Sequence, residues 1–191
     1  MKERLLSWLP LIPLLLLLAA TYWLNKQVQP ASASPSGKLR HDPDYMLGNF
    51  TATSLDSQGK IRFTISAQKM WHYPDDDSTH IDNPLLVSMF ADRPPIRTSA
   101  LRGAISSKGD EVFLYDDVVI VSPAYGKHST RTFSTDYLHV VPDNDIADTD
   151  HLVTMVDANT TMRAVGMELN NKTRTVNLLS RVKSTYEPVK K

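Results

Sequence analysis

The chain carries no cysteine among its 191 residues. That excludes a disulfide framework, zinc–thiolate sites, a thioether lipid anchor and any cysteine nucleophile. It also lacks an excess of either charge: Lys+Arg and Asp+Glu are equal at 21 each, and no basic stripe interrupts the pattern. Nucleic-acid binding is left without electrostatic support, and so is a polybasic run for anionic membrane surfaces. Aromatics are sparse, and Trp71 is the only tryptophan beyond residue 24, too few rings for a sugar-stacking platform. No G-x-S-x-G elbow, Walker loop, G-x-G-x-x-G fingerprint or H-E-x-x-H helix occurs. Histidines and carboxylates are scattered, so no acid–base pair stands out and no catalytic residue or cofactor is assigned.

Two polar clusters are the nearest thing to a metal site. The run from Trp71 through His72, Tyr73, Pro74, Asp75, Asp76 and Asp77 to His80 holds two His and three Asp, but Pro and consecutive Asp equally make a solvated turn. Residues 143–150 are Asp-rich yet lack the central Gly and closing Glu of a calcium loop. Both are read as turns, and no metal ligand is assigned. Asn49-Phe50-Thr51, Asn159-Thr160-Thr161 and Asn171-Lys172-Thr173 fit a glycosylation sequon, a triplet common in Asn/Thr-rich strands.

What the chain does have is one apolar run at the front. Residues 5–24 contain no charged side chain. A helix of about 20 residues reaches roughly 30 Å, the thickness of a bilayer core. Pro10 and Pro13 fall near its start, where a missing N–H costs least. Trp8, Tyr22 and Trp23 mark its two ends, while Lys2 and Arg4 precede it and only Lys26 follows closely. The positive-inside bias then puts residues 1–4 in the cytoplasm and the rest of the chain outside it. Ala31-Ser32-Ala33 resembles a signal-peptidase site. The polar spacer before it is long for a cleavage region, which favours a retained single-pass anchor. Residues 25–38, mostly Pro, Ala, Ser and Gln, read as a linker. A domain over residues 39–187 follows, then a tail at 188–191.

That domain alternates with period two. Ile61, Phe63, Ile65 and Ala67 share one face, with Lys60, Arg62, Thr64 and Ser66 opposite, as in a strand with one wet side. Residues 112–115, 118–121, 133–141, 152–156 and 162–169 read as further strands. In the last strand Val176, Leu178, Val182 and Tyr186 are in phase. Turn signals separate them at Asp56-Ser57-Gln58-Gly59, Ser107-Lys108-Gly109-Asp110, Asp143-Asn144-Asp145 and Asn170-Asn171-Lys172. A faint repeat runs through the domain. Apolar residues sit at the same offsets from Ala100 and Ala164, and more loosely from Ala67 and Thr135. The expectation is an all-β stack whose terminal strands, near Phe50 and at residues 176–186, leave open edges.

Several stretches, taken in order, resemble the LptC family, bitopic lipopolysaccharide export proteins of Gram-negative bacteria. They are Ile65-Ser66-Ala67-Gln68-Lys69-Met70 with His72-Tyr73-Pro74, Asn83-Pro84, Thr135-Asp136-Tyr137-Leu138, Ala147-Asp148-Thr149-Asp150, Gly166-Met167, and Leu178 through Glu187. The resemblance covers nearly the whole chain. Between the paired strands, where the family often has a Gly, this chain reads Tyr115-Asp116-Asp117-Val118.

The resemblance implies an open β-jelly roll of two antiparallel sheets in a V, preceded by one transmembrane helix in the inner membrane, with the main domain periplasmic. It implies a non-enzymatic scaffold that passes lipopolysaccharide from the LptBFG transporter, met at the N-terminal strand and membrane helix, to periplasmic LptA, met at the C-terminal edge strand. Lipid would touch Phe50, Phe63, Ile65, Ile81, Leu114, Val176, Leu178 and Tyr186. LptA would pair along Val176, Leu178, Ser180, Val182, Ser184 and Tyr186. The alternative is a membrane-anchored envelope β-sandwich that binds glycan or hydrolyses a substrate. It would need an exposed aromatic platform or a convergent polar pocket.

Overall fold

The structure, a computed structural model, describes residues 11–28 and 41–187. The expected cytoplasmic tip, residues 5–10 of the anchor, most of the linker and the tail with Pro188 lie outside these. The chain divides into two compact units, one ending at Leu39 and one beginning at Arg40.

The first unit holds helix α1, Leu11–Val28. It runs past the apolar segment through Asn25, Lys26 and Gln27, residues read from sequence as linker. Leucines 14 to 18, Tyr22, Trp23 and Leu24 are all exposed, so the helix is apolar around its circumference and needs other apolar surroundings. Lys26 lies 5.9 Å from the Tyr22 ring, and the Thr21 hydroxyl donates to the Leu17 carbonyl at 2.6 Å. No helix among the described residues is long and apolar enough to cross a membrane.

The second unit is all-β and antiparallel throughout. Its strands are β1 Tyr45–Leu55, β2 Ile61–Tyr73, β3 Ser78–Asp82, β4 Leu85–Ser88, β5 Ile96–Ser99, β6 Arg102–Ile105, β7 Val112–Ser122, β8 Arg131–Val141, β9 Ile146–Val156, β10 Thr160–Asn170 and β11 Thr175–Tyr186. From β7 onward each strand pairs with the next, out to β11. On the other side, β2 and β7 are joined twice: through β3 and β6, and through β4 and β5. β1 closes the opposite end by pairing β2 along its length.

A line of irregularities crosses this sheet at mid-strand. Left-handed backbone occurs at Asn49 in β1, Asn83 between β3 and β4, Asp116 and Asp117 in β7, Gly166 in β10 and Arg181 in β11. Pairing breaks on the same line between Tyr115 and Val118, Ser134 and His139, and Val165 and Met167. Extra or left-handed residues bend a strand and reset its twist. Hydrogen bonds stitch the line together: Asn83 N–H to Leu101 carbonyl at 2.8 Å, and Leu101 N–H to Asp116 carbonyl at 3.0 Å. The bent sheet brings its two halves face to face. Arg62 of β2 donates to Asp143 Oδ1 at 2.7 Å and to the Pro142 carbonyl at 3.1 Å, across the gap between them.

Residues 112–115 and 118–121 are therefore one bent strand, not two strands around a turn. Asp116 and Asp117 take the left-handed conformation that a Gly would supply; Asp tolerates it better than most side chains. β3, β4, β5 and β6 have no counterpart in the sequence reading. Each is four or five residues long, too short to display alternation.

Small residues line the inside of the bend. Ala67, Ala100, Thr135 and Ala164, the four origins of the sequence repeat, are all buried. A Cβ on Gly103 would meet Ile81 Cγ1 at 2.9 Å, and one on Gly166 would meet Leu179 Cδ1 at 2.9 Å with its φ at +82°. Gly166→Val should thus lower unfolding stability by about 1–3 kcal/mol and speed amide exchange in β11 first. Denaturant unfolding and residue-resolved exchange check this; an unchanged midpoint would contradict the bend argument.

Candidate functional site

Facing halves of a bent sheet need a shared apolar filling, and here it forms one continuous strip. Leu86, Ile96, Ile120 and Phe133 come from one half; Ile81, Leu114, Leu138, Val140 and Leu169 from the other. Toward β1 the strip passes into half-buried Phe50, Phe63, Met70 and Ile105, and toward β11 into half-buried Met162, Val176 and Leu178. Its two ends are thus at the two edge strands.

The residues nominated from sequence fall at different points of this strip. Ile81 and Leu114 are 1% and 0% exposed, and Ile65 is also buried, so these three sit in the closed centre. Phe50 and Phe63 lie at the β1 end. Val176 and Leu178 face inward at the β11 end, opposite Leu169 and Met167 of β10, because directly paired residues share a face. Tyr186 stands apart from them: it pairs Thr160 and is 66% exposed. Leu86, Phe133, Leu138 and Met167 belong to the strip but were not nominated. Alternation could not place Leu138 and Met167, since the inward phase shifts by one residue between Thr135 and Leu138 and again between Ala164 and Met167.

Both edges are unpaired among the described residues. β11 bonds only β10, and β1 only β2. Each carries exposed apolar side chains: Leu179, Val182 and Tyr186 on β11, and Tyr45, Met46, Leu47 and Leu55 on β1. Of the partner-facing residues read from sequence, Ser184 lies opposite Met162, and the Ser180 hydroxyl is already donated to the Val165 carbonyl at 2.9 Å. The bulge at Arg181 divides the edge of β11 into two straight pieces.

The β1 edge is pinned by histidines. His72 Nδ1 lies 2.8 Å from Asp44 Oδ1, its Nε2 lies 3.1 Å from Asp77 Oδ1, and its ring stacks on Tyr45. Hydrogen bonds to Asp44 and then Asp77 hold the imidazole's pKa above its ordinary value. His41 likewise stacks on Tyr73, and Asp75 raises its pKa. His41, Asp75 and Asp76 could bring one ligand atom each within 4.8 Å of one another, but all three are exposed, and Asp75 to Asp77 form the β2–β3 turn expected of them. The Asp-rich run at 143–150 is split between a short 3-10 turn and β9.

A strip of this kind, ending at two strand edges open to pairing, suits a scaffold that hands an apolar cargo along. Comparison with known proteins gives the particular one. The chain belongs to the lipopolysaccharide-assembly, LptC-related family, which matches residues 11–187, and it is a lipopolysaccharide transport scaffold of the cell envelope. Among solved structures, a similar chain is LptH, the LptA-homologous periplasmic component of the conserved lipopolysaccharide transport device from Pseudomonas aeruginosa. It is 8% identical, the match covers 75% of this chain and 94% of that one, and the TM-score is 0.45. Curated proteins give no match.

The raised imidazole pKa values carry a sign. A histidine with a raised folded pKa stabilises fully below its unfolded value of about 6.5 and loses that contribution as pH rises through the folded value. Amide exchange at Asp44, whose N–H bonds the His72 carbonyl, should therefore quicken between mildly acid and mildly alkaline pH. His72→Gln should flatten that dependence. Exchange that slows with pH, after correction for intrinsic rates, would contradict the pinning.

Proposed function

We propose that the β unit works as an open β-jelly roll, its two half-sheets a V whose apolar strip carries the acyl chains of lipopolysaccharide from the β1 end to the β11 end. The observation that carries this is the strip's continuity between the two unpaired edges. Lipid A has several acyl chains, and each CH₂ left in water costs about 0.8 kcal/mol. A path across an aqueous compartment must therefore be apolar along its whole length. Phe50, Phe63, Ile65, Ile81, Leu114, Val176, Leu178 and Tyr186 are the proposed lipid contacts. The role makes and breaks no bond; the energy to move lipid comes from ATP spent by the transporter.

The same reading gives each edge a partner. β11, through Val176, Leu178, Ser180, Val182, Ser184 and Tyr186, would extend into the sheet of LptA by strand addition. The β1 end and the membrane helix would meet LptBFG. Residues 5–24 form the single-pass anchor in the inner membrane, with residues 1–4 cytoplasmic, the linker beyond, and residues 39–187 in the periplasm. What supports the anchor is the exposed, predominantly apolar stretch of helix α1 from Leu14 to Leu24, together with the uncharged residues 5–10 that precede it.

Photo-crosslinkers at Phe50, Ile81 and Val176 should capture lipopolysaccharide during ATP-driven transport, and Val176→Glu should cut the yield at least tenfold. Deleting residues 175–191 should abolish LptA capture while the chain stays in the membrane fraction. No lipid adduct at any of the three positions would overturn the conduit, and retained LptA capture would overturn the β11 interface.

A further inference from the structure

Beside the apolar strip lies a cavity of about 400 Å³, lined chiefly by Arg93, Ile96, Lys127, His128, Arg131 and Arg174. Four arginines and lysines converge there in a chain with no net charge. The elements that bring them are the loop before β5, the hairpin between β7 and β8, the start of β8 and the turn before β11. The Tyr125–His128 bridge, turned at Gly126, presents Lys127. Arg174 holds a left-handed φ of 61°, uncommon for a long side chain, in the turn that places it here.

Asp92 neutralises part of this charge, with Asp145 also near Arg93. Arg174 pairs with Asp92, and Arg93 donates to the Asn171 carbonyl at 2.8 Å with its guanidinium 3.6 Å from the Phe90 ring centre. The Nε–H groups of both Arg93 and Arg131 are buried with no hydrogen-bond acceptor. Burial and the neighbouring Arg174 charge together lower the Arg93 pKa. A buried unmet donor on a charged group is costly, and an oxyanion is the group that would satisfy several at once.

The cavity also has direction. Arg93, Ile96, Arg131 and Arg174 reappear in a narrow crevice that continues to Ile120, Phe133, Leu169 and Val176 of the strip. A cationic chamber opening onto an apolar interior matches a molecule with an anionic head and a greasy body. We propose that this chamber is a binding site for a phosphate ester on the headgroup of an acylated lipid, held by Arg93, Arg131, Arg174 and Lys127 while its chains enter the strip. This inference rests on the conduit reading above.

The test uses the full-length protein in detergent and three ligands: phosphorylated lipopolysaccharide, the same material with its phosphates removed, and inorganic pyrophosphate. The wild type should bind the phosphorylated lipid at least tenfold more tightly than the dephosphorylated one. Arg131→Gln and Lys127→Gln should each erase most of that difference and leave binding of the dephosphorylated lipid unchanged; Arg131→Lys should restore part of it. Lys127 is exposed on a hairpin tip, so its variant does not threaten folding. Equal affinity of the wild type for both lipids, or variants that weaken both alike, would overturn the site. Pyrophosphate bound without any preference between the lipids would mark a free-phosphate site and overturn the lipid assignment. Should neither lipid bind, the conduit reading fails, and pyrophosphate binding that Arg131→Gln removes would still uphold the anion chamber.

Discussion

The bend across the middle of the strands is the constraint on which the rest depends. A sheet of eleven strands with one apolar face cannot bury that face while flat. Here the left-handed residues from Asn49 to Arg181 fold the sheet along one line, so that its apolar face meets itself. Because the bend cuts across every long strand, the enclosed strip runs perpendicular to the strands. It begins at one sheet edge and ends at the other. Edge strands are usually a hazard that proteins block; in this fold they are where the interior comes to the surface.

Magnitudes decide what keeps the halves together. The pairs that span the gap, Arg62 with Asp143 and Arg174 with Asp92, are solvent-accessible, Arg62 least so. Such pairs contribute about 0–1 kcal/mol each. Burying one large apolar side chain contributes about 1.5–3 kcal/mol, and the strip holds many. The seal is therefore apolar, with the ion pairs as weak latches. On the proposed function, an acyl chain entering the strip would replace side-chain contacts with contacts of the same kind, so parting the halves around lipid would cost far less than parting them in water. Leu114 and Leu138 are fully buried, and a lipid path along them is compatible with that burial for this reason.

Much of this was legible in the residues. Period-two alternation indicates the all-β class and marks parts of the long strands, and the turn signals fall at the ends of β1, β6, β8 and β10; the first half of β9, read as an Asp-rich turn, is strand instead. The four small residues from which the repeat was counted sit along the bend, because only small side chains fit where two halves converge. Strands of four or five residues, β3 to β6, could not be seen, and neither could the continuity of β7 through Asp116 and Asp117. Phase shifts at the bend hid Leu138 and Met167 for a physical reason: one extra residue turns every later side chain to the other face. The basic chamber leaves no signal along the chain, because Arg93, Lys127 and Arg174 come from separated loops, Arg131 opens β8, and the four form no stripe.

On the proposed function, the two half-sheets part to admit lipid. Spin labels at exposed Lys60 and Asn144, next to the Arg62–Asp143 latch, would report the gap directly in the full-length protein by pulsed dipolar spectroscopy. The distance distribution should shift outward when lipopolysaccharide is added and return when it is removed. A distribution that stays unchanged with lipopolysaccharide bound would contradict that parting.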